Sequence, residues 1–248
     1  MPVKGVDAIR RALAVFEEIA ASQPVGISAI ARSLGQTKSS TQRALVSLAE
    51  ARWITADGSA EGRWVVAPHA LAVVLGAMRR QGLRDALLPA LGALRDRSGE
   101  TAFLALPDQS RVVLAEVVES ANVVRVAVPL GSSAPAADSS AGLAMAAFLA
   151  PRRRAQLLGA RRAGAAEDLL VEVRRLGYAT AFKSVRSDIH TVAVPVFDRH
   201  GAPIAAVGLA APAERLQVDD ARRLGPLAVA AVADAGYGPL APVTVRAP

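Results

Sequence analysis

Ser28-Ala29-Ile30-Ala31-Arg32-Ser33-Leu34-Gly35-Gln36-Thr37-Lys38-Ser39-Ser40-Thr41-Gln42-Arg43 decides the fold of the first third of this chain. Ser28 reads as the N-cap of a short helix, Ala29–Leu34, with Ile30 and Leu34 on one face. Gly35-Gln36 makes a tight turn, glycine being suited to the positive φ that follows a helix end. Thr37 caps a longer helix running to about Arg52. Its apolar side is Thr41, Ala44, Leu45 and Leu48; its polar side shows Lys38, Ser39, Gln42 and Arg43.

Upstream, Val6, Ile9, Leu13, Phe16 and Ile19/Ala20 recur at three- and four-residue spacing, which predicts an amphipathic helix ended by Ser22–Gly26. Downstream, Trp53-Ile54-Thr55 and Arg63-Trp64-Val65-Val66 are short extended pieces. The stretch Ala56–Gly62 between them has two glycines and no apolar demand, a hairpin signal. Helix, short helix, turn, longer helix and hairpin together predict a winged helix-turn-helix. A helix in the major groove needs polar, bidentate side chains on its outer face. Arg43 suits a guanine and Gln42 an adenine, while Lys38, Ser39 and Ser40 suit phosphates. Ser28 and Thr37 at the two helix starts and Arg63 on the wing complete the candidate DNA contacts. A solvated helix face would look the same in isolation; the short helix before it and the wing after it favour DNA.

Charge adds little to that reading. Of the net +7, residues 1–66 hold only +2, from eight Lys/Arg against six acids. The rest lies in runs such as Arg152-Arg153-Arg154 and Arg174-Arg175, which have the character of solvated helix surface. With no cysteine, disulfides and thiol chemistry are excluded. The longest apolar stretches fall well short of the ~20 residues of a membrane span, and no basic apolar leader precedes Val6, so a cytoplasmic, non-membrane protein is expected.

Beyond the wing, Pro68 opens a helix, His69–Gln81, with Leu71, Val74, Leu75 and Met78 on one stripe. A further helix, Leu83–Ser98, follows. Thr101–Leu106, Val112–Val118 and Val123–Val128 read as consecutive antiparallel strands. Leu130–Ser140 reads as a small-residue loop, Ala141–Ala150 as a buried helix, and Arg152–Leu158 and Glu167–Leu176 as two more. Thr191–Phe197 and Pro203–Ala211 form a hairpin, Val218–Ala235 a last helix, and Gly236–Pro248 a frayed tail. The expected architecture is α+β. Residues 1–67 form the winged domain, 68–82 a linker helix, 83–237 an antiparallel sheet flanked by helices, and 238–248 a flexible tail.

The ordered set of segments resembles the IclR-type transcriptional regulators over some 230 residues. It comprises Val6–Leu13, Ile27–Arg43, Ser98–Ala105, Leu176-Gly177-Tyr178-Ala179 and Ala193-Val194-Pro195-Val196-Phe197-Asp198. The resemblance implies a GAF-like C-terminal domain that binds a small-molecule effector, and a homodimer or homotetramer on double-stranded DNA. It places the effector between Ser139, Ser140, Ala141 and Gly142 on one side and Asp188, Ile189, His190 and Thr191 on the other. The chain departs from the family in having Ala137, Leu143 and Thr191 where His, Lys and Cys are common. Ala181–Arg186 is neutral to basic where the family is acidic. With Lys183 and Arg186 nearby, these replacements suggest an apolar or anionic effector.

Other chemistry finds little support. No pair among His69, His190 and His200 has metal-ligand spacing, and neither Ser139 nor Ser140 follows a glycine as a nucleophile elbow requires. No cofactor, metal or catalytic residue is expected; one of the two serines should cap the buried helix. The expected function is a DNA-binding regulator on a palindromic operator, repressing or activating under effector control. Two alternatives remain: a sensor or enzyme whose N-terminal domain binds protein, and an orphan regulator with a degenerate pocket.

Overall fold

The computed structural model describes residues 5–182 and 187–239. The chain divides into two compact units, one through Gln81 and one from Gly82.

In the first unit, α1 (Asp7–Ser22), α2 (Ile27–Ser33) and α3 (Lys38–Glu50) precede a two-stranded wing, β1 (Ile54–Ala56) and β2 (Trp64–Val66). The wing pairs antiparallel, Thr55 opposite Val65, and Val25 adds a bridge to Trp64. Val15, Ile19, Ile30, Leu45 and Ile54 fill the core, with the Trp53 and Trp64 rings against it. This is the expected winged helix-turn-helix with two corrections. The core face of α1 runs through Ala12, Val15, Phe16 and Ile19, whereas Val6, Ile9 and Leu13 are more than half exposed. Two apolar stripes therefore meet near Phe16, and only one of them faces the unit's own core. Ser28 is also not an N-cap. The Val25–Trp64 bridge brings the chain to Gly26, whose carbonyl accepts from Ala29 and Ile30, so the helix starts before Ser28. Next, α4 (Pro68–Gln81) leaves Leu71, Val73, Val74 and Leu75 exposed.

The second unit is a six-stranded antiparallel sheet in the order β5-β4-β3-β8-β7-β6. Its strands are β3 (Thr101–Asp108), β4 (Arg111–Val118), β5 (Ser133–Pro135), β6 (Ala179–Phe182), β7 (Ile189–Phe197) and β8 (Pro203–Pro212). Alternation along β3 splits the core in two. Ala102 and Leu104 pack with α5 (Leu83–Ser98) and α10 (Val218–Asp234) on one face. Phe103 and Ala105 pack with α6 (Ser140–Ala146) and α9 (Glu167–Leu176) on the other. Between α6 and α9 lie α7 (Pro151–Leu158) and α8 (Ala160–Ala165), the latter not foreseen.

Two expectations change here. Val123–Val128 is no strand: side chains take its carbonyls, Thr101 Oγ1 donating to Val126 O at 2.7 Å and Arg215 Nη2 to Val124 O at 2.9 Å. The short β5 takes the outer edge of β4 instead, with Val113 opposite Ser133. The chain past α10 is tied down as far as Tyr237, whose carbonyl accepts from Phe197 N at 3.0 Å. The expected tail falls mostly on 240–248, outside the described residues.

Candidate nucleic-acid interface and effector cavity

The polar face of α3 is set by what the other face must do. Thr41 and Leu45 are fully buried and Ala44 and Leu48 nearly so, which turns Lys38, Ser39, Gln42 and Arg43 to the exterior. Thr37 Oγ1 accepts from Ser40 N at 3.2 Å, the cap the sequence predicts. The buried Thr41 hydroxyl is satisfied by Thr37 O at 3.1 Å. Gly35 holds φ at +60° between α2 and α3, and Gln36 N closes the turn on Ala31 O at 2.9 Å. Glu18 accepts from both Ser22 and Ser33, tying α1 to α2. These bonds fix the direction of α3.

Among the described residues, neither Lys38 nor Arg43 is in an ion pair, so both charges face solvent. Arg63 on the wing is paired with Glu61. The wing turn is held by Asp57, whose carboxylate accepts from the Ser59 hydroxyl at 2.7 Å and its amide at 3.0 Å. Those two bonds push the Asp57 pKa below the usual carboxylate value. Ser28 lies half-buried in the first turn of α2.

In the second unit, five of the eight residues singled out for the effector meet at one cavity of about 330 Å³: Ser139, Ser140, Ala141, Ile189 and Thr191. Ser139 caps α6, its Oγ accepting from Gly142 N at 3.0 Å and donating to Ala136 O at 3.2 Å. Ser140 Oγ donates to Thr191 Oγ1 at 2.7 Å, joining α6 to β7 across the cavity wall.

The other three residues do not line it. Gly142 packs directly on Ala136: a Cβ there would come within 2.1 Å of Ala136 O. His190 lies between Ile189 and Thr191 and so faces the opposite side of the sheet. It is buried there, Nδ1 at 2.8 Å from Leu216 O and the ring edge-on to Phe182. That removes it from both serines and from the cavity. Asp188 lends its carbonyl to Ala213 N at 3.0 Å. Lys183 and Arg186, on which the anionic half of the effector expectation rests, lie outside the described residues.

Much of the cavity wall was not foreseen. Phe103, Val112 and Leu114 come from β3 and β4, Ala210 from β8, Ala127 and Val128 from the segment read as a strand, and Pro129 from just beyond it. Alternation would have placed Phe103 and Ala105 on the α6 side, but nothing in the sequence says that the α6 side is hollow. Ala137 and Leu143 line a second, more open groove of about 500 Å³, where Arg162 is paired with Asp138. No group of three His, Asp or Glu side chains among the described residues is arranged to hold a metal.

A winged helix-turn-helix with an unpaired polar recognition face, followed by an α+β unit with a ring-sized cavity, defines a ligand-responsive transcription regulator. Residues 75–235 match the model of the bacterial transcriptional regulator IclR C-terminal domain, and residues 8–58 match the IclR helix-turn-helix domain. The chain belongs to the IclR family of transcriptional regulators, which join a DNA-binding domain to an effector-binding one. It is 28% identical over 245 residues to the acetate operon repressor of Salmonella typhimurium, covering 93% of this chain and 89% of that one. It is 30% identical over 230 residues to the HTH-type transcriptional regulator BhcR of Paracoccus denitrificans, covering 88% and 81%. An IclR homolog of Microbacterium hydrocarbonoxydans, crystallised with 4-hydroxybenzoate, shares the fold at a TM-score of 0.75 and 20% identity, over 93% of this chain and 99% of that one.

Proposed function

We propose that α3 enters the major groove and that the 330 Å³ cavity is the effector site. The observation that carries the first half is the outer face of α3, where Lys38 and Arg43 are unpaired on a helix whose cap and buried side leave it one orientation. Arg43 reads a guanine and Gln42 an adenine. Lys38, Ser39 and Ser40 hold phosphates, with Thr37 and Ser28 at the helix starts beside them, and Arg63 reaches the backbone by leaving Glu61. In an anisotropy titration on operator DNA, Arg43→Ala should relax base preference, while Lys38→Ala should lower the salt slope by about one unit. Operator bound equally well by Arg43→Ala and the parent, with the same preference over scrambled DNA, overturns the assignment.

The exposed stripes on α1 (Val6, Ile9, Leu13) and α4 (Leu71, Val74, Leu75) support a second copy of this chain as partner. A symmetric dimer presents two recognition helices to half-sites about one helical turn apart, hence a palindromic operator. The segment 68–82, formed by α4 and Gly82, then serves as the linker through which effector binding changes the spacing of the DNA-binding domains, whose boundary we place at 67. A cytoplasmic regulator acting through binding rather than catalysis fits the resemblance to relatives such as the acetate operon repressor and BhcR, which are transcription regulators. No described helix is long and apolar enough to cross a membrane.

A further inference from the structure

Of the sixteen described residues that line the cavity, eleven are apolar, five carry hydroxyls and none is ionisable. The guanidinium of Arg111 is bonded to one wall residue, Ser133, with Nε and Nη2 at 3.0 and 2.9 Å from Ser133 Oγ and Nη2 also bonded to Ser133 O. A carboxylate lodged against this wall would lose part of its water and gain no ion pair from the described lining, which is unfavourable.

The wall also has a shape. Phe103 on β3 lies directly opposite Gly208 on β8. A Cβ at position 208 would come within 2.5 Å of Phe103 Cζ and 2.6 Å of Val192 O, so the ring occupies space that only glycine leaves free. The tip of the ring is thereby seated over Gly208, and Phe103 forms part of the cavity wall with Val112 and Leu114. A wall with an aromatic side chain among aliphatic ones favours a planar ring, by edge-to-face or offset contact.

The hydroxyls add direction. Ser139 spends its oxygen on Gly142 N and its hydrogen on Ala136 O. Ser140, 1% exposed, donates its hydrogen to Thr191 Oγ1. That leaves the Thr191 hydrogen without a partner among the described residues, on a side chain that lines the cavity. It is a donor waiting for an acceptor.

We infer that the cavity takes an uncharged, single-ring ligand with an acceptor oxygen for Thr191, such as an aryl ketone, aldehyde, ester or phenol, in preference to the corresponding free acid. The inference rests on the cavity being the effector site. A volume of about 330 Å³ is at the small end for small-molecule sites, room for one ring with a short substituent.

Calorimetry on the full chain without DNA tests it, using two matched pairs: 4-methoxyacetophenone against 4-methoxybenzoate, and methyl 4-hydroxybenzoate against 4-hydroxybenzoate. The neutral member of each pair should bind about tenfold or more tightly than its acid. Thr191→Val should weaken neutral binding by about tenfold, and Thr191→Ser should restore it. Val128→Arg, at the half-exposed rim, folds without burying its charge and should turn the preference toward the acids. Acids binding as tightly as the neutral members overturn the inference, above all if Lys183→Ala or Arg186→Ala abolishes that binding. Failure of every neutral member to bind overturns it as well, as does neutral binding unmoved by Thr191→Val and Val128→Arg. Operator affinity, measured separately by anisotropy, keeps the two readings apart. A neutral ligand that binds the cavity but leaves operator affinity unchanged removes the effector reading alone. Release of operator by an acid that binds the cavity removes the ligand class alone.

Discussion

Replacing Gly142 by alanine should destabilise the second unit, although alanine is the better helix former. The local term favours the substitution by up to about 1 kcal/mol, because glycine loses more backbone entropy in a helix. Against it stands a Cβ placed 2.1 Å from Ala136 O and 2.6 Å from both Ala136 C and Ala136 Cα. These are backbone atoms of a fully buried residue, so no flexible side chain can swing aside. Overpacking costs about 1–3 kcal/mol where side chains can adjust, and rigid backbone pushes the cost to the upper end. The net loss should be about 2 kcal/mol, or roughly 4–8 °C in melting temperature for a unit of this size. Gly164 in α8 is the control: nothing lies within 4 Å of its Cβ position, so Gly164→Ala should be neutral or stabilising by up to about 1 kcal/mol. Both tryptophans, Trp53 and Trp64, lie in the first unit, so their fluorescence reports that unit while far-UV circular dichroism reports the whole. In Gly142→Ala the dichroism midpoint should fall and the fluorescence midpoint should stay. A variant as stable as the parent would refute the close packing of α6 on Ala136, and with it the shape of the cavity wall.

Three further outcomes follow from individual bonds. Thr37→Ala should cost about 1 kcal/mol in urea unfolding followed by tryptophan fluorescence, with Thr37→Ser close to the parent, because the cap on Ser40 N and an exposed hydroxyl contact with Ser39 are lost. Arg215→Met should cost about 2–3 kcal/mol, since it strands the buried Glu100 carboxylate and frees Val124 O. That is less than the roughly 3–5 kcal/mol of a fully buried pair because Arg215 is 35% exposed, and Glu100→Gln in the same chain should recover part of it. Asp198 accepts from the amides of His200 and Ala202, which hold its pKa below the ordinary value. A folded-state pKa below the unfolded one contributes stability above about pH 4 that is lost as pH falls through the folded value. The gap between parent and Asp198→Asn in thermal melts should therefore be constant near neutrality and close in acid.

The sequence made the recognition helix legible because its two faces differ in kind. Thr41, Ala44, Leu45 and Leu48 go in together, and Thr37 and Gly35 mark its start unambiguously. On α1, both candidate stripes are apolar, and composition cannot say which serves the unit's own core. Val6, Ile9 and Leu13, as apolar as the Val15 and Ile19 that go in, are left outside. Val123–Val128 has strand composition, but only Val126 is buried and side chains claim its carbonyls, a tertiary effect with no local signature. Ser139, Ser140 and Thr191 reached the cavity because the family resemblance pointed there. His190 did not, because strand alternation sends it to the other face, and that inference was available from Thr191 and the period of two.

The cavity itself follows from residues that are uninformative in isolation. Ala105, Ala127, Ala134, Ala141 and Ala210 all line it, in a chain where alanine is everywhere. Each is a place where a larger apolar side chain would fill the space between the sheet and α6. A sealed, dry void of about 330 Å³ would cost roughly 8 kcal/mol, as much as the whole stability of an ordinary domain. The void is tolerated because it opens to solvent, and its wall is nonetheless ordered, by Ser140 on Thr191 and by Thr101 and Arg215 on the Val124–Val126 backbone. An ordered apolar wall open to solvent is the arrangement in which a ligand of matching polarity gains most, since binding does not have to organise the protein. The stability given up at the five alanines is thus available as binding energy to whatever fills them.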